Sequence, residues 1–553
     1  MHWLNIVHLA QRRPSSPSYA NVPPLDAHPA PSRPAHGLEP PALANPGVHY
    51  QRCLAQLRSK DKAIERNIYL QQLKHADEHM FYKLVVENMA ELTPLIYTPT
   101  VGDACLQFSA NYRRPEGMFI SIKDKGKIGQ VLRNWPRRED ARISVVTDGS
   151  RILGLGDLGV NGMPISIGKL SLYVAGAGIR PASTLPICLD LGTNNTKFLE
   201  DPLYLGLRQK RVSDKEMDEF MDEFMREMRA TFPKLLIQFE DFSTDHAFHY
   251  LDRFRHQYPL FNDDIQGTGA VVLSGFLNAA QLSSEASGRP LSDHRILFLG
   301  SGSAGVGVGM QLMSFFTLVA GLSPEEARSR IYYIDSQGLI TADRPGLAEH
   351  KKFFARTDCP PLKDLVDIIG YVKPTALLGL STIKNAFTRD VIEAMTALNE
   401  RPIVFPLSNP VALSECEFGD AVSWSGGRVI FASGSPFAPV TYGGQEHVAG
   451  QGNNMYVFPG LGLGAILARV SSITDSMVEA ASLALAHSLT PDERAAGLIY
   501  PRLERIREIS VGIAAGVVRE AQKRGVDGHK ALRAMSEPEL RTWVEGKMWS
   551  PMI

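Results

Sequence analysis

Three acidic residues near the middle of the chain have the types and the setting of a divalent-metal site. Glu240 and Asp241 come shortly after Leu235–Ile237, an apolar run that predicts a buried strand, and Asp264 lies in the next acidic segment. Open α/β sheets bind ligands at the carboxyl ends of their strands. Carboxylate oxygens suit Mg2+ or Mn2+, and no His or Cys joins them as a zinc site would need. An acidic pair alone is more often solvated surface, but phenylalanines flank this pair, which favours a metal site.

Three further side chains could act on a small acidic ligand. Lys169 lies in the otherwise apolar run 167–172, where a lysine loses part of its preference for the charged form and can act as a base. The alternative is a surface lysine whose stem covers apolar neighbours. Arg151 could hold a carboxylate through two parallel hydrogen bonds. Tyr97 precedes a proline turn, where a tyrosine is more often a half-buried core residue than a catalyst.

The string G-x-G-x-x-G occurs twice, and only the second copy has the context of a dinucleotide site. In Gly154–Gly159, Asp157 would place a carboxylate against a pyrophosphate and no uninterrupted helix follows, so these glycines more simply allow a close backbone approach to a small ligand. Gly300–Gly305 stands between the predicted strand 295–299 and a predicted helix to about residue 319. Pyrophosphate would meet the free amides at that helix start. The second copy therefore predicts a site formed by Gly300, Gly302, Ser303, Ala304 and Gly305.

Two strand ends and two amides extend this predicted nucleotide domain. Asp335 ends the next predicted strand and could accept hydrogen bonds from ribose hydroxyls, with Ser336 beside it. Asn409 precedes a proline, which favours an extended backbone that presents the amide into a cleft. Asn453 lies on a glycine loop. Turn formation explains either asparagine equally well.

The elements that must position these residues alternate between strand and helix, which predicts an α/β protein. We expect an N-terminal α/β catalytic domain with a helical N-terminal segment, followed by a doubly wound, Rossmann-type domain. The predicted segments are a disordered leader at 1–48, the catalytic domain at 49–257, the nucleotide domain at 258–525 and a tail at 526–553. The leader holds ten of the chain's 36 prolines, and its acid-free start fits a transit peptide or a plain unstructured extension.

Composition excludes several classes of function. A net charge of −1 over 553 residues gives no basis for a general nucleic-acid or anionic-membrane binder. The five cysteines are scattered without a C-x-x-C pair, which predicts neither a disulfide framework nor a cysteine metal site and fits a reducing compartment. The charge-free run 296–324 is long enough to span a membrane, but its glycines break it into a strand, a turn and a helix start. We therefore predict no membrane span.

Several long strings resemble those of the malic enzymes, over roughly residues 66 to 521. They are 97–102, 146–159, 191–195, 238–242, 261–268, 407–410 and 450–454. The resemblance implies oxidative decarboxylation of (S)-malate to pyruvate and CO2, through oxaloacetate, with NAD+ or NADP+ and Mg2+ or Mn2+. It also implies decarboxylation of oxaloacetate, a homo-oligomer (dimer or tetramer), and a location in the cytoplasm or the mitochondrial matrix.

The resemblance also implies a role for each matching residue. These roles are metal ligation by Glu240, Asp241 and Asp264, general base Lys169 with Asp263 hydrogen-bonded to it, general acid Tyr97, malate binding by Arg151, Asn409 and Asn453, and dinucleotide binding by Gly300, Gly302, Gly305 and Asp335. NADP-preferring relatives tend to carry Ser after the strand-end acid and a later Lys, which Ser336 with Lys351 or Lys352 could supply. Asp335 itself favours a free 2'-hydroxyl. On balance we expect NADP to be accepted.

Two other classes of protein remain as alternatives at this point. A metal-independent amino-acid dehydrogenase also pairs a catalytic lysine with a nucleotide domain, and activity that survives EDTA would favour it. That class leaves the three carboxylates unexplained. A non-enzymatic homologue would lack an essential group, and the sequence retains all of them.

Overall fold

The computed structural model describes residues 45–408 and 411–552, apart from the side chains of Ser303, Ala304 and Val411. The described residues divide into two compact units, 45–96 with 550–552, and 97–549. Most of the predicted leader and Asn409 lie outside the described residues.

The described part of the first unit is helical, as the spacing of its apolar residues predicts. Asn45 and Asp77 cap the first and third helices by accepting hydrogen bonds from Val48 N and Met80 N. Leu70, Phe81 and other apolar side chains are fully buried along the facing stripes. The helices are α1 (Pro46–Arg58), α2 (Ala63–Ala76), α3 (Glu78–Glu87) and α4 (Met89–Ile96).

The second unit begins with a five-stranded, wholly parallel sheet in the order β1-β3-β2-β4-β5. Its strands are β1 (Met118–Ser121), β2 (Ile143–Thr147), β3 (Thr184–Asp190), β4 (Leu236–Phe239) and β5 (Leu260–Asn262). The helices of this region are α5 (Thr100–Leu106), α6 (Phe108–Asn111), α7 (Ile128–Leu132), α8 (Met163–Ala177), α9 (Thr196–Glu200), α10 (Asp214–Thr231) and α11 (Thr244–Phe254).

Two of these helices show how the sheet is covered. The α10 helix packs a stripe of Met and Phe side chains, all buried, into the core beside the sheet, and its other face is charged. By contrast, 14 of the α8 residues are buried, including Lys169. A helix that is apolar on all sides packs in a protein interior, so α8 places Lys169 inside the second unit.

A seven-stranded sheet follows in the order β14-β11-β10-β9-β6-β7-β8. Six of its strands are parallel and β8 is antiparallel to β7, a small departure from the wholly parallel sheet that we expect from sequence. The seven strands are β6 (Ile296–Leu299), β7 (Ile331–Asp335), β8 (Gly338–Leu339), β9 (Ala376–Gly379), β10 (Ile403–Pro406), β11 (Ile430–Ser433) and β14 (Gly450–Gln451). Between the last two, β12 (Val440–Tyr442) and β13 (Gln445–His447) form a separate antiparallel hairpin.

Helices connect the parallel strands of this second sheet and form the C-terminal part of the unit. They are α12 (Thr268–Ser287), α13 (Ser303–Ser314), α14 (Pro324–Ser329), α15 (Glu349–Lys352), α16 (Leu365–Val372), α17 (Arg389–Leu398), α18 (Phe418–Trp424), α19 (Phe458–Ala468), α20 (Asp475–Ala486), α21 (Pro491–Ala495), α22 (Ile506–Arg524) and α23 (Glu537–Glu545). The strand order reverses direction beside β6, as in doubly wound folds, which confirms the predicted fold class. Within the described ranges, no helix combines the length and hydrophobicity that crossing a bilayer requires.

Candidate active site

A cavity of about 170 Å³ lies where the carboxyl ends of strands from both sheets meet. Loops after β2, β4 and β5 line one side, and loops after β9 and β10 line the other. These loops converge because the carboxyl ends of parallel strands lie at the same edge of a sheet. The polar residues of its lining include Tyr97, Thr98, Arg151, Glu240, Asp241, Asp264, Thr382, Ser408, Asn453 and Asn454.

Three carboxylates converge in this cavity. Oxygen atoms of Glu240, Asp241 and Asp264 all lie within 4.8 Å of one another. Asp241 has a left-handed backbone (φ +55°), which is uncommon for a residue with a side chain. Hydrogen bonds hold it there, since Leu153 N donates to Asp241 Oδ2 at 3.1 Å and Asp241 N donates to Asp264 Oδ2 at 2.8 Å. The fold therefore brings the segment with Glu240 and Asp241 next to the segment with Asp264, a proximity that the local sequence of either segment does not determine.

The electrostatics of these carboxylates fit a bound cation. Burial raises the pKa of Glu240 well above its usual range, although the charge of Lys169 opposes that shift. Burial and then the neighbouring charge of Asp264 raise the pKa of Asp241. Buried carboxylates this close repel one another, and a divalent cation bound among hard oxygen donors would remove that repulsion. The donor set contains oxygen only, as Mg2+ and Mn2+ prefer.

Lys169 is wholly buried on α8 and contacts the carboxylates directly. Its Nζ donates to Asp263 Oδ2 and lies 3.1 Å from Glu240 Oε1. The same nitrogen lies 5.2 Å from the ring centroid of Tyr97 and 4.5 Å from that of Phe458. Burial alone lowers the pKa of Lys169, but the charges of Asp263 and Glu240 outweigh it and hold the pKa well above its usual value. The expected effect of the apolar neighbours is thus present, but tertiary contacts add two acids that the run 167–172 does not contain, and these reverse the direction of the net shift.

Asp263 links this lysine to the glycine loop after β14. Its Oδ2 accepts hydrogen bonds from Lys169 Nζ and from Asn454 Nδ2, while its buried Oδ1 has no hydrogen-bond partner within the described part of the chain. A Cβ on Gly267 would lie 1.8 Å from Asp263 Oδ1, so only glycine fits there. The expected contact between Asp263 and Lys169 is present. The role of Asn454 was missed, although its glycine loop was the signal for it.

The other predicted substrate contacts differ in how firmly they are held. Tyr97 is buried, and burial raises the pKa of its hydroxyl well above the usual value. Asn453 Nδ2 donates to Thr98 Oγ1 at 3.2 Å, and its Oδ1 accepts from Met455 N at 3.0 Å. Arg151 is exposed, with Nη1 3.4 Å from Thr244 Oγ1. All three side chains line the cavity.

The loop Gly154–Gly159 is fixed by a buried ion cluster. Arg211 donates through Nη2 to Asp157 Oδ1 at 2.8 Å and through Nη1 to Asp148 Oδ2 at 3.3 Å. The amides of Leu158 and Gly159 donate to Gly149 O, so they are not available to a phosphate. This agrees with the interpretation of the first G-x-G-x-x-G string as no dinucleotide site. Arg211 was missed, because nothing local to it indicates its partners.

The second string, Gly300–Gly305, has the geometry that close approach of a dinucleotide needs. Gly300 has φ +111°, and a Cβ there would lie 2.4 Å from Leu380 O. Gly302 immediately precedes α13 and has no side chain to cap it, and a Cβ on Gly302 would meet nothing within 4 Å. The start of a 12-residue helix thus has open space at Gly302, which suits a pyrophosphate.

Two cations flank Asp335 at the end of β7. Arg344 Nη1 donates to Asp335 Oδ1 at 2.6 Å, and Lys351 Nζ donates to Asp335 Oδ2 at 2.9 Å. Lys352 instead pairs with Glu349 on the same helix, and Ser336 is exposed. Burial opposes ionisation of Asp335, but Lys351 and Arg344 outweigh it and lower the pKa. Of the two lysines named from sequence, only Lys351 contacts the acid, and Arg344 was missed.

The fold and this cavity define an enzyme class, in which an α/β domain carries a lysine, a tyrosine and clustered acids and a Rossmann-type domain is built to bind a dinucleotide. Comparison with known proteins identifies the family within that class. The family described as "Malic enzyme, N-terminal domain" matches residues 74–255, and "Malic enzyme, NAD binding domain" matches residues 265–522. The chain belongs to the malic enzyme family.

Individual relatives agree with this assignment. A NADP-dependent malic enzyme of Dictyostelium discoideum is 48% identical over 496 residues, which cover 89% of each chain. NADP-dependent malic enzyme 4, chloroplastic, of Arabidopsis thaliana is 45% identical over 93% of this chain and 78% of its own. The crystal structure of Entamoeba histolytica malic enzyme shares the fold at 23% identity with a TM-score of 0.57, covering 93% of this chain and 90% of that one. The family excludes the amino-acid dehydrogenase alternative.

Proposed function

We propose that this chain oxidises and decarboxylates (S)-malate to pyruvate and CO2 with NADP+ as the preferred acceptor, through oxaloacetate, and that it also decarboxylates oxaloacetate. The observation that supports this most directly is the burial of Lys169 between Asp263 and Glu240, beside Tyr97 and the carboxylate cluster. Tyr97 and the cation-binding cluster thus line one cavity with the carboxyl edge of the nucleotide sheet, and Lys169 lies beside that cavity, with Nζ 3.1 Å from Glu240 Oε1.

Glu240, Asp241 and Asp264 would hold Mg2+ or Mn2+. When bound there, such an ion supplies Lewis-acid stabilisation of negative charge on substrate oxygens. The turn at Gly300 to Gly305 and the start of α13 would hold the dinucleotide, whose nicotinamide ring supplies the hydride acceptor. Arg151, with Asn409 and Asn453, would bind and orient the malate carboxylates.

Proton movement in the first step falls to the Lys169 and Asp263 pair. As hydride leaves C2 for the dinucleotide, Nζ of Lys169 accepts the C2 hydroxyl proton of malate and gives one of its own protons to Asp263 Oδ2, so the pair as a whole is the proton acceptor. Because Nζ is already hydrogen-bonded to Asp263 Oδ2, the pair can share the proton, and the two groups titrate as a unit. Burial raises the pKa of Asp263, which makes its carboxylate a better proton acceptor than an exposed aspartate. Asn454, hydrogen-bonded to the same oxygen, orients that carboxylate.

Tyr97 is suited to the last proton transfer. After CO2 is lost from oxaloacetate, C3 of the resulting enolate must gain a proton to give pyruvate. A hydroxyl whose pKa is raised by burial stays protonated at neutral pH and can donate. Lys169 lies beside the ring and can return a proton to Tyr97 for the next turnover.

The preference for NADP+ rests on the charges around Asp335. Both carboxylate oxygens already accept hydrogen bonds from cations, so they are not free to accept from a ribose diol. Arg344, Lys351 and Asp335 together carry a net positive charge, which favours a 2'-phosphate over a 2'-hydroxyl. The NADP-dependent relatives support the same choice.

The quaternary state and the compartment complete the proposal. We propose a homo-oligomer, dimer or tetramer, which light scattering of the purified protein tests. The five cysteines are free of disulfides, which suits a reducing compartment such as the cytoplasm or the mitochondrial matrix. Fluorescent tagging of the full chain tests the compartment.

A steady-state assay tests the proposed reaction. Malate is supplied with NAD+ or NADP+, with and without Mn2+, and reduced cofactor and pyruvate are both measured. The expected result is stoichiometric formation of both products that requires Mn2+ and is faster with NADP+. Activity that persists in EDTA, or reduced cofactor formed without pyruvate, would contradict the proposal.

A further inference from the structure

A buried glutamate, Glu415, joins the two loops that form the nucleotide-sheet wall of the cavity. Its side chain is wholly buried and accepts hydrogen bonds at Oε1 from Ser381 N (2.9 Å), Ser381 Oγ (2.9 Å) and Ser408 Oγ (2.5 Å). Ser408 N lies 3.4 Å from the other oxygen, Oε2. Ser381 follows β9 and Ser408 follows β10, so a single carboxylate connects two strand ends.

The sequence makes room for this carboxylate. A Cβ on Gly379 would lie 2.5 Å from Glu415 Cδ, so the last residue of β9 must be glycine for the glutamate to enter. Gly379 lies beside Leu380, whose carbonyl in turn packs against Gly300 of the dinucleotide turn. The Glu415 contacts therefore reach both the cavity wall and the predicted pyrophosphate site.

A strained residue in the same wall indicates what these contacts accomplish. Thr382 lines the cavity with φ +58°, a conformation that a β-branched residue rarely adopts. Its amide donates to Ser408 Oγ at 2.9 Å, and that hydroxyl donates to Glu415. Strain of this kind persists only where surrounding contacts enforce it, and it concentrates at functional sites.

We infer that Glu415 is a positioning residue, which holds Thr382 and Ser408 in the arrangement that malate and the dinucleotide need. This inference rests on the proposed function. Glu415 does not line the cavity, so it acts through the two serines, and no proton passes between it and the substrate.

Two substitutions test the inference. Glu415→Ala removes the acceptor of four donors and frees both loops, and Glu415→Gln keeps the shape but turns one acceptor into a donor. We expect the alanine variant to lose on the order of 10²-fold in kcat/KM for malate, the loss that a displacement of about 1 Å can produce. The glutamine variant should lose roughly 10-fold, a smaller effect of the same misplacement. In both, kcat should fall and KM should rise, while the pH profile of kcat/KM stays in place.

A second buried glutamate provides the matched control. Glu493 accepts hydrogen bonds from Thr490 N, Arg502 N and Arg505 Nη1, and it does not line the cavity. Glu493→Gln should lower Tm but leave kcat and KM unchanged. If Glu415→Gln behaves in the same way, with lower Tm and unchanged kinetics, Glu415 is only structural and the inference is overturned.

The outcomes also separate this inference from the proposed function. If the wild-type protein forms no NADPH with malate, the proposed function fails, and Glu415 is then judged by the Kd of NADP+ from fluorescence titration. An unchanged Kd in Glu415→Gln would overturn the inference in that case. Should Glu415→Ala not fold, the glutamine variant alone decides.

Discussion

The two copies of G-x-G-x-x-G in this chain have the same spacing and opposite structural roles. In the loop at 154–159 the central acid pairs with Arg211 and backbone carbonyls consume the amides. In the turn at 300–305 a strand leads directly into a helix, and a Cβ on Gly302 at the start of that helix would meet nothing within 4 Å. The first loop is held by charge and the second by backbone geometry. A short string therefore acquires a function only through the elements on either side of it.

The same contrast separates the acidic edge, the carboxyl end of the five-stranded sheet with Glu240, Asp241, Asp263 and Asp264, from the nucleotide edge, the carboxyl end of the seven-stranded sheet with the turn 300–305. The largest effect should come from a change at the acidic edge. Lys169→Ala should reduce malate oxidation by up to about 10⁴-fold, because it removes the group that relays the malate proton to Asp263. NADP+ binding, measured by fluorescence titration, should remain normal because the nucleotide edge is unchanged. Normal turnover, or a lost affinity for NADP+, would show that the acidic edge and the nucleotide edge do not have separate roles.

Asp264→Ala should have the next largest effect. It removes one of three clustered carboxylates, and we expect kcat to fall on the order of 10³-fold. The affinity for Mn2+ should fall as well. Isothermal titration with Mn2+ measures the affinity directly. An unchanged Mn2+ titration would exclude Asp264 from the metal site.

Arg211→Met tests whether charge holds the first loop. Asp148 and Asp157 would lose their partner in a mostly buried setting, which should lower the free energy of unfolding by about 3 kcal/mol. Urea denaturation measures this loss. Adding Asp157→Asn should restore part of it, because that change removes one unpaired charge, and failure to do so would argue that the guanidinium acts by packing alone.

Matched glycine substitutions compare the two loops directly. In Gly300→Ala the new Cβ would meet the Leu380 carbonyl, so the turn must shift and the Kd of NADP+ should rise about 10-fold, or 1.4 kcal/mol. Gly156 also has a positive φ (+84°), but a Cβ there meets nothing. Gly156→Ala should cost about 1 kcal/mol of stability and leave NADP+ affinity unchanged. Equal effects on NADP+ would mean that the loops do not differ as proposed.

The smallest expected effect lies at the ribose end of the nucleotide edge. Lys351→Ala should lower the ratio of kcat/KM for NADP+ to that for NAD+ by roughly 10-fold, since a charge-assisted contact is lost. The adjacent Lys352 pairs with Glu349, so Lys352→Ala is the control and should leave the ratio unchanged. A larger effect from Lys352 would reassign the recognition of the 2'-phosphate.

Residues that directly follow a strand were predictable from the chain alone. Glu240, Asp241 and Gly300 each follow an apolar run, so periodicity places them at a strand end without further information. The resemblance to a family added Tyr97, Asp263 and Asn453, whose local settings fit ordinary turn and core residues equally well. Arg211 and Glu415 escaped both approaches because they contact groups in other segments of the chain, Asp157 and Ser381. Arg344 escaped although it is near Asp335 in sequence, because an irregular loop has no periodicity that would indicate the contact.

The sequence by itself determined the alternation of strand and helix, the residues at the carboxyl edges of the two sheets, and the oxygen-only chemistry of the acidic cluster. Only the tertiary structure decided the electrostatics of Lys169, because burial in its own apolar helix lowers the pKa and two acids from distant segments raise it. The physical reason is the difference in sequence separation between the groups that act on each property. Backbone patterning depends on neighbours along the chain, whereas the charge state of a buried group depends on every ionised group nearby in space, however distant it is in sequence.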